Sequence, residues 1–415
     1  MKALFRNSTF ARLFAGRLVT NMGDSLYYIA AMWLVYDLGG SALYTGLAGF
    51  LTMFPQSLQF LTGPLVDRWN LRRILVVTQV LQGALVLVIP LAWYGGWLSV
   101  TVVLVVMPVV ALLNQFTFPA ENAALPRVVE KERLVDANSA FSFAYQGTSL
   151  VFRALGGLLI ALVGAVSIYV VDSVTFAAAV LIFASVRIPP AADHDATDVA
   201  SATGAYVEKL REGVDYVRGS VLVLVLSASV LVNGTIGATM AVLPVFAGQR
   251  GGSAAYGFML AAVGGGILVG ALVTSPLKRY SLSALSGVGF TLSAVAWFAA
   301  VAVHSLPLTV GLFFLAWIPV GVTNVIFAAV MQSVVPERLV GRVTSLTASA
   351  ASLAMPVGSL LGGWAGDVWG PGLVVSVAGV GFLVITVGWL GHPHLRGLPP
   401  ADDVDAKAFG LPTAE

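Results

Sequence analysis

Windows of about twenty apolar residues recur along this chain, centred near residues 25, 54, 84, 108, 151, 178, 231, 262, 293, 317, 353 and 380. A helix needs a run of that length to cross the hydrocarbon core of a bilayer. With no water there to satisfy an open backbone, helices are the form such runs must take. Composition supports this: 58% of the residues are hydrophobic and only 10% charged, against about a quarter charged in ordinary soluble domains. The expected fold is therefore an all-α membrane protein with twelve spans.

The charges are few but ordered. Of the 22 Lys and Arg residues, Arg17 and Arg153 fall inside spans and Arg250 in a loop of the opposite side; all the others lie in alternate turns, in the region between residues 188 and 220, or in the two tails. An excess of Lys and Arg marks the cytoplasmic face, so both termini are expected there. The basic start runs into a span that carries Arg17 and Asp24, unlike the short apolar core of a cleavable signal peptide. Cysteine is absent, which excludes disulfides and thiolate metal sites.

The apolar pattern breaks between residues 188 and 220, which divides the chain into an N-terminal half (1–187), a linker (188–220), a C-terminal half (221–395) and a polar tail (396–415) expected to be disordered. Within the linker, Tyr206, Leu210, Val214 and Val217 stand at helical spacing among charged residues, predicting an amphipathic helix on the inner membrane face. The halves echo each other. Glu132-Arg133-Leu134-Val135 returns as Glu337-Arg338-Leu339-Val340, 205 residues later, and Gly156-Gly157 returns as Gly362-Gly363. Two pseudo-symmetric six-helix bundles follow from such a duplication. Gly156-Gly157, Gly264-Gly265-Gly266 and Gly358 with Gly362 would let helices approach closely. Pro55, Pro108, Pro244, Pro319 and Pro356 fall inside spans.

Polar residues within spans are the candidate chemistry. In the first span Arg17, Asn21, Asp24 and Tyr28 follow at steps of four, three and four and share one helical face. In the fifth, Ser142, Gln146, Ser149 and Arg153 repeat that spacing. A charge at mid-membrane costs about 2.5 to 3.5 kcal/mol on insertion scales and marks a paired or cavity-facing site. Asp24 is accordingly a candidate to take up and release a proton, with Arg153 or Arg17 as partner; Arg153 is equally open to an anionic part of a substrate. Asp172 and Glu121, near span ends, read as solvated caps. Gln56, Gln59, Asn114, Gln115, Phe118, Asn233, Met240, Trp317 and Asn324 complete a candidate cavity with Asn21, Tyr28 and Gln146. Its apolar, aromatic character suits a bulky amphipathic ligand.

Between the second and third spans lies Gly63-Pro64-Leu65-Val66-Asp67-Arg68-Trp69-Asn70-Leu71-Arg72-Arg73. This turn resembles the motif that major facilitator superfamily transporters carry there, matched by Gly63, Leu65, Asp67, Arg68, Arg72 and Arg73, with Asn70 where a glycine is usual. Asp67 could accept hydrogen bonds from the start of the eleventh span or pair with Arg342, forming a cytoplasmic gate. The segment Leu134-Val135-Asp136-Ala137-Asn138, Glu212 to Arg218, and Gly341-Arg342-Val343 look like the macrolide-efflux and siderophore-exporter branch. The resemblance implies a proton-driven exporter of amphipathic compounds, monomeric, in the cytoplasmic membrane of a bacterium or archaeon. Two features depart from it: Phe152 and Arg153 stand where drug exporters place Gly-Pro, and the fourth span offers Asn114 and Gln115 where an arginine is common. The same fold could serve another cargo, such as a lysophospholipid or a nutrient, or a receptor that binds without transporting.

An enzyme is not expected. There is no phosphate-binding Gly-x4-Gly-Lys-Ser/Thr loop, the four histidines lie in loops and tails, and no cofactor or metal site is indicated.

Overall fold

The computed structural model describes residues 4–59, 62, 66, 69–189, 199–220, 222–404 and 409. Among them the chain is helical throughout: α1 (Ser8–Gly39), α2 (Ala42–Ser57), α3 (Leu71–Tyr94), α4 (Val100–Val128), α5 (Leu134–Val163), α6 (Ala165–Ala184), α7 (Val199–Val217), α8 (Leu222–Gly248), α9 (Gly252–Leu277), α10 (Leu282–Ala302), α11 (Leu306–Val334), α12 (Glu337–Trp369), α13 (Pro371–Gly391) and the short α14 (Pro393–Arg396). By length and composition nine of the described helices suffice to cross a membrane: α3, α4, α6 and α8 to α13. The other windows fall on α1, which carries Arg17 and Asp24, on α2, described over 16 residues, and on α5.

Local chemistry sets the helix boundaries. Asn7 caps α1 through its side-chain oxygen, which accepts from the N–H groups of Thr9 (3.0 Å) and Phe10 (3.2 Å), while its amide donates to the Val128 carbonyl at the end of α4 (2.9 Å). One side chain thus satisfies orphan groups of two helices. Gly40 ends α1 in the left-handed conformation, φ 62°, where a side chain is strained. Asn70 caps α3, accepting from Arg73 N–H at 3.1 Å. Pro55, Pro108, Pro244, Pro319 and Pro356 lie within continuous helices.

The chain divides into two compact units, Met1–Gly40 with Leu51–Ala205, and Ser41–Phe50 with Tyr206–Glu415. In the first, α1 packs against α4, α5 and α6, and α3 against α4 and α6. Gly16 and Gly23 let α1 lie directly on α6: a β-carbon at Gly16 would strike the Phe183 ring, and one at Gly23 would strike Asp172 and Thr175. An aromatic cluster of Phe5, Phe10, Phe14 and Phe141 closes one end, with ring centroids 5.1 to 6.2 Å apart. Beside it the carbonyls ending α6 are met by arginines: Arg12 donates to Ser185 O at 2.8 Å and Arg72 to Ala184 O, as a helix C-terminus favours.

In the second unit α8 packs against α12 and α13, and α11 against α9 and α10. Glycine again decides the closest seams. Gly358 faces the Gly234 backbone, Gly237 the carbonyl of Met355, and Gly270 and Gly321 meet the backbones of α11 and α9. Indole Nε1 of Trp297 donates to Val375 O (2.7 Å), and Ser293 Oγ donates to Ala316 O (2.7 Å). The start of α2 belongs here as well. The Asp367 carboxylate near the end of α12 accepts from the N–H groups of Ala42 (2.7 Å) and Leu43 (3.2 Å) and from the Ser41 hydroxyl. It neutralises the positive end of α2.

Two segments differ from the sequence expectation. The linker helix begins at Val199, and its second part docks on α12: Glu212 pairs with Arg342 at 2.6 Å, Gly213 abuts the Arg342 carbonyl, and Val217 is buried. The tail is ordered through its first residues. Leu395 and Leu398 are buried, Pro399 O accepts from Leu282 N–H (3.0 Å), and Asp402 pairs with Lys278 at 3.2 Å. Buried apolar side chains, and tail carbonyls that accept from Leu282 and Ser283 at the start of α10, order the backbone that composition alone expects to be disordered.

Gly358→Val should push α8 and α12 apart, because its side chain would enter the Gly234 backbone. Overpacking of this kind costs about 1 to 3 kcal/mol, so the thermal unfolding midpoint in detergent should fall, while Gly388→Ala, facing open space, should leave it in place.

Candidate functional site

The first-span stripe lies inside the first unit, as its periodicity requires. Arg17 and Asn21 are buried, and Asp24 is partly so. The Asp24 carboxylate accepts from Asn114 Nδ2 of α4 at 2.9 Å, a helix-to-helix bond that leaves lone pairs for a proton. Arg17 faces α4 lower down: its Nη1 stands 3.0 Å from Glu121 Oε2, with both side chains almost wholly buried at 4% and 2% exposure. That pair is close but poorly aligned, for Arg17 Nη1 makes no hydrogen bond of good geometry and Glu121 Oε1 has no partner among the described residues. The guanidinium is further held by aromatic faces, 4.9 Å from the Tyr145 centroid and 5.9 Å from that of Phe118. Cation–π contact of this sort strengthens as water is removed.

Glu121 is therefore no solvated cap. Its place one turn beyond Thr117 puts it on the face of α4 turned to α1, where Arg17 replaces the water it would otherwise need. Asp172 is likewise wholly buried rather than solvated. Its Oδ1 accepts from Thr175 Oγ1 at 3.1 Å, and Oδ2 has no partner among the described residues. Nearness to a span end does not give these two groups access to water, because α1 packs against both α4 and α6 there.

Other expected residues scatter. Gln115 donates back to Ala111 O (3.1 Å), Asn233 donates to Ser229 O (2.8 Å), and each thus satisfies its own helix. Phe118 and Gln56 are exposed, as is Asn324, while Gln59, Tyr28 and Met240 are intermediate. Trp317 is buried in an aromatic cluster with Trp297 and Phe382, at centroid distances of 6.3 and 6.2 Å, lining a small apolar pocket with Thr235, Thr239 and Gly381. Of the gate, Gly63, Asp67 and Arg68 lie outside the described residues, as do the side chains of Gln146 and Arg153, so the Asp24–Arg153 and Asp67–Arg342 pairings fall outside them too. Arg72 is engaged at the end of α6, Arg73 is exposed, and the described partner of Arg342 is Glu212. Among the described residues no group of His, Asp and Glu could hold a metal ion.

The Arg17–Glu121 pair should show itself in stability. Arg17→Met strands a buried carboxylate and should destabilise the protein by about 3 kcal/mol, read as a fall in the unfolding midpoint. Glu121→Gln should cost less, because Asp24 remains to balance Arg17.

The sequence matches a family model described as transmembrane secretion effector over residues 2–409. It is 28% identical to the multidrug efflux pump Tap of Mycobacterium tuberculosis, over 96% of this chain and 97% of that protein. It is 22% identical to the uncharacterized MFS-type transporter YvqJ of Bacillus subtilis, over 92% and 91% of the two chains. The fold is similar to the crystal structure of the nucleoside transporter NupG, with a TM-score of 0.70 at 10% identity, over 92% of this chain and 98% of that one. An all-helical chain with apolar spans, a buried ionic centre and a family match over nearly its whole length belongs to the transmembrane secretion effector family of the major facilitator superfamily, and is a multi-pass membrane transporter rather than an enzyme.

Proposed function

We propose that this transporter exports amphipathic small molecules across the cytoplasmic membrane in exchange for protons, by alternating access. The observation that carries the reading is the buried Arg17, Glu121 and Asp24 centre on α1 and α4. Membrane interiors penalise such charges, and they persist where they bind or move an ion. A single described cation stands against two carboxyls, so the centre reaches neutrality when it holds one proton. Loss of that proton leaves an uncompensated charge in low dielectric, an energy difference that biases one conformation over another. The distribution of Lys and Arg supports cytoplasmic termini. The amphipathic cargo follows from the likeness to a multidrug efflux pump and from the apolar, aromatic pocket lined by Trp297, Trp317 and Phe382.

The gate belongs to the same reading. Glu212 of the linker helix holds Arg342 at the start of α12, so movement of α12 must drag or break that exposed pair. Asp67 with Gly63, Arg68, Arg72 and Arg73 would control closure on the cytoplasmic side.

Inside-out vesicles with an imposed proton gradient and ethidium as probe test the exchange. Ethidium should dissipate the gradient in wild-type vesicles, and Asp24→Asn should reduce this to the level of vesicles lacking the protein. Full ethidium-driven proton release by the Asp24→Asn protein would remove Asp24 from the coupling step.

A further inference from the structure

The first unit contains a third carboxyl, fully buried, which the exchange described above does not use. Asp172 is fully buried midway along α6, against α1 at Gly23, where the missing β-carbon makes room for its Oδ1 and for Thr175. The residue after Gly23 is Asp24. Two phenols flank the acid. Tyr169 lies one turn away on α6, with its ring 5.7 Å from that of Tyr27 on α1, edge to face. Both rings are at least nine-tenths buried, and both hydroxyls, like Asp172 Oδ2, lack a hydrogen-bond partner among the described residues.

What faces Asp172 narrows its chemistry. From α1 come Asp24 and Tyr27; Arg17 lies further along and is committed to Glu121. From α3, which packs on α6, come no ionisable groups, because Ile74 to Trp93 holds none; its polar side chains Thr78, Gln79 and Gln82 bond within α3 and to α4. On α5 the side chain of Arg153 lies outside the described residues. Among the described residues no cation pairs with Asp172. A buried carboxylate with one hydroxyl donor and no counter-charge is costly, and holding a proton removes the charge. The one described donor to Asp172 is the Thr175 hydroxyl, and Oδ2 is left free to carry the proton.

We propose that Asp172 is a further proton-binding carboxyl of this transporter, taking up and releasing one proton at Oδ2. On uptake an O–H bond forms at that oxygen and the group becomes the neutral acid; on release the bond breaks and leaves the carboxylate with its one Thr175 bond. The inference rests on the proton-exchange reading, yet the occupancy of Asp172 can be tested apart from transport.

Infrared difference spectra of the purified protein in lipid, recorded across a pH series, read the carbonyl stretch of protonated carboxyl groups directly. Wild-type protein should show a titrating band that Asp172→Asn removes, that Asp172→Glu retains, and whose midpoint moves in Asp24→Asn. A set of titrating bands unchanged by Asp172→Asn, or an Asp172 band present at every pH, would overturn the proposal and leave the acid as a neutral packing group. Loss of the band on adding sodium at constant pH would equally overturn it, in favour of a metal cation. Wild-type vesicles without ethidium-driven proton release would defeat the antiport reading, whereas the infrared bands decide Asp172 independently.

Discussion

The contact between Arg17 and Glu121 sets the terms for the first unit. Neither residue has water to turn to, and each would be untenable without the other. Their pairing requires α1 and α4 to meet at one rotation, and that rotation directs Asn21 and Asp24 along the same face and brings Asp24 to Asn114. It also turns the small residues Gly16 and Gly23 away from α4 and onto α6. One ionic contact thus fixes both the polar and the close-packed sides of the central helix.

Much of this was legible from periodicity. Steps of four, three and four from Arg17 to Tyr28 placed a polar stripe on one face, and a stripe of that kind in an apolar helix has to be buried. Gly156, Gly266 and Gly358 were read as points of close approach, and each meets a neighbouring helix at Ile29, Phe314 and Gly234. The partner of Arg17 was not legible, because spacing within a helix says nothing about which neighbour lies across from it. Glu121 and Asp172 were lost for that reason. A signal was available in Gly23: a glycine beside a membrane carboxylate marks a place where another polar side chain is admitted. The substitution at Asn70 has a physical account as well. Asparagine caps α3, so it performs a boundary role that the flexibility of glycine would leave to water.

A carboxylate at a helix start occurs in the second unit. Asp67, expected at the start of the eleventh span, lies outside the described residues. Asp367 meets the start of α2, where the carboxylate takes two backbone N–H groups and a hydroxyl. A helix N-terminus concentrates partial positive charge whichever helix supplies it, so sequence identifies the type of partner but not its address.

The two units carry the same helical plan with different interiors. Where the first is organised around Arg17, Glu121, Asp24 and Asp172, the second is organised around Trp297, Phe313, Trp317 and Phe382, rings that stack or meet edge to face at 4.6 to 6.3 Å. Backbone hydrogen bonding in lipid constrains both alike. What is free to diverge is the side-chain chemistry inside each bundle. Ionisable groups respond to charged neighbours and aromatic faces to apolar rings, so the two interiors differ in the chemistry each offers. A substitution in one interior can then alter that chemistry without rebuilding the other. That separation is a physical basis on which relatives can keep the fold while differing in cargo.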